Sequence, residues 1–415
     1  MSDYLHIERV FNADFLQWIS GPNLSNDFEC LQTYLNAGYP DAPDLIPAFL
    51  TGSMPKLYTS PPKDRNTEIP RFYFFKSKPK YPTPFNELYS PNHKIDKITL
   101  AKIFYERYKI PNFFAAPFLY QSNPRAMRPN HEYIRFSSLI PIGEKLDTKS
   151  FQEQIFELII YGRKRDYAVA DDFGFYIVRY LQCNKKFEPY IKNTSECSIF
   201  SRYILMNLVI IYDPEFRGRI TRNQFIQYDF LQILEDVADF EKFQEIFKIF
   251  DSLDIQRKNS LSFKELVLYD HKRIHPKVLE RVWKFLPGTK VNDRITFADF
   301  VVYIILLEIK ESQAALNFWF RVCDIEEDGI LSLNEMNFWY KLQKQMLKIM
   351  NTETEKFKQL VPQIMDMMGS NATQWTRSQI KDSGAWPRLY NILIDPKLFY
   401  GYFELREDMA ISHEY

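Results

Sequence analysis

Twelve consecutive residues, Asp324–Glu335, constrain the fold of this chain more than any other stretch. Oxygen-bearing side chains stand at alternate positions, a glycine is the sixth residue, and a glutamate is the last. Apolar residues recur at a three- to four-residue spacing before the stretch, in Ala314–Cys323, and after it, in Leu333–Leu342. This periodicity predicts a helix on each side of an acidic loop.

A helix–loop–helix of this kind matches the EF-hand, whose loop binds calcium through oxygens at positions 1, 3, 5, 7, 9 and 12. Gly329 at position 6 allows the sharp turn, and Leu331 at position 8 is the apolar residue expected to pair with a neighbouring loop. Position 3 is a glutamate, which is longer than the usual aspartate or asparagine and could crowd the cage. The predicted ligands are Asp324, Glu326, Asp328, Ile330 through its backbone carbonyl, Ser332 and Glu335.

An acidic helix–turn–helix that binds no metal is the alternative interpretation of this stretch. Seven loop positions agree with the calcium pattern, and both flanking helices are predicted, so calcium is the better interpretation. The sequence therefore predicts one Ca²⁺ as the cofactor.

Two further loops have the same frame but the wrong charges. Asp213–Gln224 has Arg217 at position 5 and a neutral glutamine at position 12, so a guanidinium stands where a carboxylate is required. Asp254–Glu265 keeps both acidic ends, but position 5 is Lys258. We expect both to be structural EF-hands that bind no calcium.

The C-terminal two-thirds of the chain repeats this pattern of helices joined by short polar loops. Fainter copies of the loop end at Asp299 and surround residues 374–379, and no set of period-two strands accompanies them. We predict an all-α fold of tandem EF-hand-type lobes, one at 141–290 with the degenerate loops and one at 291–415 with the calcium loop. The predicted helices include Phe151–Ile160, Tyr203–Tyr212, Phe240–Phe250, Pro276–Leu286, Phe300–Glu308 and Ala314–Cys323.

Residues 1–140 form a proline- and aromatic-rich N-terminal arm. Proline has no amide N–H to donate, so we predict a largely irregular arm with short helices between the prolines, such as Thr99–Tyr108. Two aromatic runs, Ile69–Phe75 and Pro111–Phe118, are unfavourable in water. We expect most of their rings to pack on the helical body and some to dock on a partner.

Composition excludes several function classes. Lys and Arg together number 53, as do Asp and Glu, so the formal net charge is zero and no overall basic field attracts nucleic acid or an anionic membrane. The longest apolar run, near Phe300–Leu307, is too short to span a bilayer.

None of the four cysteines forms a CxxC pair, which favours free thiols in a reducing compartment. The sequence contains no P-loop, GxSxG or HExxH motif, which indicates a protein that is not an enzyme.

Several stretches resemble the B″ (B double-prime) regulatory subunits of protein phosphatase 2A, and the branch of the plant TONNEAU/FASS proteins in particular. The resemblance covers about residues 149–408 and one short motif in the arm. It rests on Ile69–Phe74, Tyr212–Thr221, Phe300–Glu308 followed by Ala315–Asp324, Ile392–Phe399 and Glu404–Asp408.

The resemblance implies a heterotrimer in which this chain selects substrate and location. Its partners would be the scaffold and catalytic subunits of the phosphatase and phosphoprotein substrates, with no nucleic acid and no membrane span. The family's other calcium loop corresponds to Asp254–Glu265, which here lacks its middle ligands. The N-terminus lacks a basic segment followed by an apolar stretch, so no signal peptide is predicted, and the expected location is the cytoplasm, with the cytoskeleton, the centrosome or the nucleus as further sites. The alternatives are a calcium-binding scaffold of the cytoskeleton or of microtubule-organising structures that has no phosphatase partner, and an enzyme with an unrecognised site.

Overall fold

Short antiparallel strands join the helix–loop–helix units of this chain in pairs. The computed structural model describes residues 83–123, 133–191, 194–288, 293–352 and 354–399. Strands in these ranges are two or three residues long, and helices make up most of the rest. The predicted all-α fold is confirmed. Within the same ranges, no helix is both long enough and apolar enough to cross a membrane.

One compact unit comprises, among the described residues, 83–205 and 218–238. Two 3₁₀ turns, Asn112–Phe114 and Lys185–Phe187, interrupt its helices, and a third, Phe85–Glu87, precedes them. The α-helices are α1 Lys97–Tyr108, α2 Ala115–Ser122, α3 Phe136–Leu146, α4 Phe151–Ile159, α5 Ala170–Cys183, α6 Thr194–Tyr212, α7 Arg222–Phe225 and α8 Phe230–Val237, of which α6 ends within the second unit.

The second unit comprises residues 206–217 and the described residues from 239 to 399. It contains the 3₁₀ turn Tyr269–Lys272. Its α-helices are α9 Phe240–Leu253, α10 Phe263–Leu266, α11 Pro276–Phe285, α12 Phe297–Glu308, α13 Gln313–Cys323, α14 Leu333–Ile349, α15 Phe357–Met368, α16 Arg377–Ser383, α17 Trp386–Ile394 and α18 Pro396–Phe399. All eight helices predicted above are present. Their ends differ by nine residues at the start of α6, by seven at the end of α14, and by three or fewer elsewhere.

Four two-stranded ladders connect loops within the described ranges. The strands pair as β1 Lys94–Asp96 with β2 Tyr133–Arg135, β3 Tyr167–Ala168 with β4 Ile220–Thr221, β5 Ser260–Ser262 with β6 Arg294–Thr296, and β7 Ile330–Ser332 with β8 Gln374–Thr376. In the last ladder Leu331 faces Trp375, and both side chains are buried. Each ladder therefore fixes two loops back to back, as in paired EF-hands, and buries one apolar pair between them.

In the second unit, the helix that follows each of the strands β5 to β8 begins at a capping box. In β5–α10 the Ser262 hydroxyl caps the amide of Glu265, and the Glu265 carboxylate accepts hydrogen bonds from the Ser262 amide and hydroxyl, both at 2.7 Å. Ser332 with Glu335 and Thr376 with Gln379 repeat the arrangement. These are positions 9 and 12 of the loop, so local sequence is enough to start the helix there.

The described part of the arm is more helical than its prolines suggest. Residues 97–146 include α1, α2 and α3, and the aromatic run at Pro111–Phe118 packs into the core with Phe114 and Phe118 fully buried. Pro117 stands in the first turn of α2, where its missing N–H costs no helical hydrogen bond. The other aromatic run, Ile69–Phe75, lies outside the described residues.

A buried charged cluster ties three connections of the second unit together. The Asp395 carboxylate, between α17 and α18, accepts hydrogen bonds from Arg273 Nε at 2.8 Å and from Lys310 Nζ at 2.7 Å. Arg273 precedes α11, and Lys310 lies between α12 and α13. All three side chains are buried or nearly so. One carboxylate therefore holds segments that are far apart in sequence.

Candidate metal centre

The loop Asp324–Glu335 has the backbone that its sequence predicts. Helix α13 ends at Cys323, β7 occupies Ile330–Ser332, and α14 begins at Leu333. Gly329 has a φ of +80°, in the left-handed region that favours glycine. The loop therefore makes the sharp turn at position 6 that an EF-hand loop requires.

The two end carboxylates are buried and bonded to loop amides. Asp324 Oδ2 accepts a hydrogen bond from the Gly329 amide at 2.9 Å. Glu335 Oε1 accepts from the amides of Ile325 and Glu326 at 2.7 and 3.2 Å, and its Oε2 accepts from the Ser332 hydroxyl at 2.9 Å. Glu335 thus reaches back across the loop to its first residues.

The remaining predicted ligands lie on the same loop without converging on one point. Glu326 and Asp328 are exposed, and Asp328 Oδ1 accepts a hydrogen bond from the Ile330 amide at 2.9 Å. Within the described ranges, no group of three or more His, Cys, Asp or Glu side chains is gathered closely enough to hold a metal. The structure places the six predicted residues along one short loop, in which the carboxylates of Asp324, Asp328 and Glu335 accept hydrogen bonds from backbone N–H groups.

The chemistry of this donor set fits calcium. Four of the five carboxylates in this loop occupy ligand positions, and none of those four forms an ion pair with a described Lys or Arg. The fifth, Glu327 at position 4, pairs with Arg281 at 2.9 Å and with Lys284. Burial raises the pKa of Asp324, and the Glu335 charge raises it further, against hydrogen bonds from loop amides such as that of Gly329. A bound cation would relieve this unfavourable charge density, and hard carboxylate oxygens are the ligands that calcium prefers. Asp324, Glu326, Asp328, Ser332 and Glu335 would hold it, together with the Ile330 carbonyl.

The loop Asp254–Glu265 contains a cation from its partner loop. Arg294, on β6, donates from Nη2 to Glu265 Oε2 at 2.9 Å and lies 3.5 Å from Asp254 Oδ1. Its Nε donates to the Ser260 hydroxyl at 2.8 Å, and Nη2 also donates to the Ser260 carbonyl. The guanidinium therefore lies between the carboxylates of positions 1 and 12, where a calcium ion would be bound.

A further degenerate loop was not found from sequence. Residues 161–172 form the connection between α4 and α5, and β3 in this loop pairs with β4 of the loop Asp213–Gln224. Asp172, its last residue, forms ion pairs with Arg163 at 3.1 Å and Arg165 at 2.6 Å. These arginines stand at positions 3 and 5, so the loop supplies its own cations. The acidic residue at position 12 was the available signal, but no carboxylate precedes it at the ligand positions.

Loop Asp213–Gln224 also lacks a complete set of ligands. The Arg217 guanidinium at position 5 forms an ion pair with Glu215 at position 3. Gln224 at position 12 is engaged in a capping box with Thr221. Position 5 is therefore a cation and position 12 a neutral amide, and neither supplies the carboxylate that a calcium site requires there.

Comparison with known proteins places the chain near one group of phosphatase regulators. No family model matches it. The chain is 22% identical over 377 residues to a probable B″delta regulatory subunit of serine/threonine protein phosphatase 2A from Arabidopsis thaliana, and the match covers 83% of this chain and 68% of that protein. It is 28% identical over 223 residues to the human B″ beta regulatory subunit, covering 49% of this chain and 38% of that protein.

The fold has a counterpart among solved structures. One chain of a solved PP2A PR70 holoenzyme structure, which is described as diCa, superposes on this chain. The TM-score is 0.54 and the sequence identity is 21%. The match covers 60% of this chain and 97% of that chain. The chain therefore shares its helical fold with that protein, and in sequence it is similar to B″ regulatory subunits over most of its length.

Proposed function

We propose that this chain, which resembles B″ regulatory subunits of protein phosphatase 2A over 83% of its length, is itself a regulatory subunit of such a phosphatase. That similarity is the observation that carries the proposal. In this role the chain binds the scaffold and catalytic subunits and selects phosphoprotein substrates. Hydrolysis then belongs to the catalytic subunit, and this chain is not an enzyme.

Calcium binding at a single loop is the second part of the proposal. The carboxylates at the ligand positions of Asp324–Glu335 form no ion pair with a described Lys or Arg, whereas Asp254–Glu265 contains Arg294 and residues 161–172 contain two arginines. When bound, calcium would cross-link the two ends of the loop through positions 1 and 12. The direction of α13 relative to α14 would then depend on the ion.

Reconstitution tests the assembly. Purified chain is mixed with purified scaffold and catalytic subunits of protein phosphatase 2A and resolved by size-exclusion chromatography. We expect a ternary complex in near-equal amounts, and the same two subunits in a pull-down from native lysate. A calcium-binding EF-hand protein of another family, at equal concentration, is the control for non-specific association. Failure of both assays to recover the phosphatase would favour the alternative of an EF-hand scaffold without a phosphatase partner.

A further inference from the structure

A lysine-rich groove lies between α14 and the start of α15. Lys341 and Lys344 line it from α14, and Lys356 and Lys358 line it from the N-terminal end of α15. The groove has a volume of about 520 Å³, which is large enough for several side chains of a bound peptide.

The groove carries a net positive charge, although the exposed Glu355 carboxylate lies near enough to act on Tyr340. No carboxylate side chain is among its lining residues, and none of its four lysines forms an ion pair with a described Asp or Glu. Lys344 is held in place because its Nζ donates to the carbonyls of Thr354 at 3.1 Å and Glu355 at 3.3 Å. These carbonyls leave its charge uncompensated, so the groove attracts an anionic ligand.

A second cavity of the same unit shows the contrast. It is larger, at about 760 Å³, and Arg321, Arg377 and Lys381 line it. Its lining also includes three acidic residues, Glu215, Asp324 and Glu327, so its charges are balanced. The lysine groove is therefore the more selective for anions.

The floor of the groove is apolar and well supported. Tyr340 is buried and packs at a tilt against Phe357 with ring centroids 5.7 Å apart, and its hydroxyl donates to the Glu355 carbonyl at 3.0 Å. Val361 adds aliphatic surface. At the end nearest the start of α14, the amides of Asn334 and Asn337 can donate to and accept from a peptide backbone.

We propose that this groove binds an acidic segment of a partner protein, with carboxylates on the lysines and an apolar side chain on the floor. The apolar floor distinguishes this ligand from a free phosphate, and the concave shape distinguishes it from a flat membrane surface. None of the six predicted calcium-ligand positions lines the groove. The inference goes beyond the proposed function, and peptide binding can be measured on this chain without the phosphatase subunits. Either hypothesis can therefore fail without the other.

The test is fluorescence polarisation of the full chain with a fluorescein-labelled peptide in which glutamates surround a leucine. We expect saturable binding that weakens as salt is raised, and little binding of a peptide with glutamine in place of every glutamate. The double variant Lys341→Glu with Lys358→Glu is expected to weaken binding by about tenfold or more, a change of about 1.4 kcal/mol or more. The milder double change of both lysines to Gln should give an intermediate loss.

The matched control is Lys264→Glu with Lys348→Glu, because these exposed lysines lie outside the groove and the variant has the same net charge. We expect this control to bind like the unmodified chain. Equal losses in both double variants, or no binding of the acidic peptide by the unmodified chain, would overturn the proposal. Binding to phosphatidylserine vesicles without binding to the peptide would overturn it in favour of a membrane ligand.

Discussion

The Arg294 guanidinium lies 2.9 Å from the carboxylate of Glu265, across the ladder that joins two EF-hand loops. Glu265 is the last residue of its loop, the position whose carboxylate closes a calcium site. Burial by itself raises the pKa of this carboxyl, but hydrogen bonds from Ser262 and the Arg294 charge bring the pKa below its usual value. Arg294 of the partner loop therefore supplies the positive charge that a calcium ion supplies in a metal-binding EF-hand loop.

Removing this internal cation should destabilise the second unit. Arg294→Met leaves Asp254 and Glu265 buried without a counter-charge, and we expect a loss of about 3 kcal/mol in the free energy of unfolding, measured by urea denaturation. Arg257→Met is the matched control, because Arg257 belongs to the same loop but forms an exposed pair with Asp251. The control should unfold at the urea concentration of the unmodified chain. Equal midpoints for both variants would show that Arg294 has no structural role.

Calcium stoichiometry distinguishes the two acidic loops. Titration calorimetry of metal-free chain should give one calcium site. Glu335→Gln removes the charge of the carboxylate that closes the candidate loop, so calcium affinity should fall by about tenfold or more. Asp254→Asn should leave affinity unchanged, since Asp254 belongs to the loop that contains Arg294. A second tight site in the unmodified chain would contradict this prediction.

The buried Asp395 should make stability depend on pH in acid. Burial alone raises the pKa of this carboxyl, but the Lys310 charge and the Arg273 hydrogen bonds outweigh burial and lower it. Its stabilising contribution is therefore fully present above the unfolded pKa of about 4 and is lost as the pH falls through the lower folded value. Asp395→Asn leaves Lys310 and Arg273 without their carboxylate, at an expected cost of about 4 kcal/mol at pH 7.

Urea midpoints measured from pH 6 down to pH 3 test this dependence. The difference in stability between the unmodified chain and Asp395→Asn should shrink below about pH 4, because protonation removes the same charge as the substitution. Asp251→Asn, at an exposed ion pair, is the control and should follow the unmodified chain throughout. A difference that stays constant with pH would refute the assignment.

Truncation tests the N-terminal arm, whose first 82 residues lie outside the described residues. Four consecutive aromatics, Phe72–Phe75, are expected to contribute to the contact with the phosphatase core. A chain without residues 1–80 should therefore assemble more weakly with scaffold and catalytic subunits, while its calcium stoichiometry stays the same. Undiminished assembly would assign the arm no part in that contact.

Catalysis is expected to be absent from the purified chain. Neither a nucleophile–base motif nor a phosphate-binding loop occurs in the sequence, so we expect no hydrolysis of phosphoester or peptide substrates. The preparation is assayed before and after denaturation and refolding, which removes contaminating phosphatase. Activity that returns with the refolded chain would contradict the prediction.

Local patterns account for the part of the fold that could be predicted. The loop Asp324–Glu335 and its flanking helices follow from three- to four-residue periodicity and from the spacing of oxygen ligands. The capping boxes at positions 9 and 12, such as Ser332 with Glu335, join residues only three apart. Helices of the arm were underestimated because Pro117 stands at a helix start, where proline is compatible with helix.

The sequence by itself therefore determined the helices, the loop frame and the one loop with a full set of carboxylates, because these depend on neighbours within one or two helical turns. Tertiary structure decided which charges meet. Arg294 reaches Glu265 only because the β5–β6 ladder places it opposite Ser262, and Asp395 meets Lys310 although 85 residues separate them. Such pairs depend on how distant segments pack. The sequence around each of these residues does not indicate which residue it will pair with. The same charged side chains would be solvated if the segments packed differently.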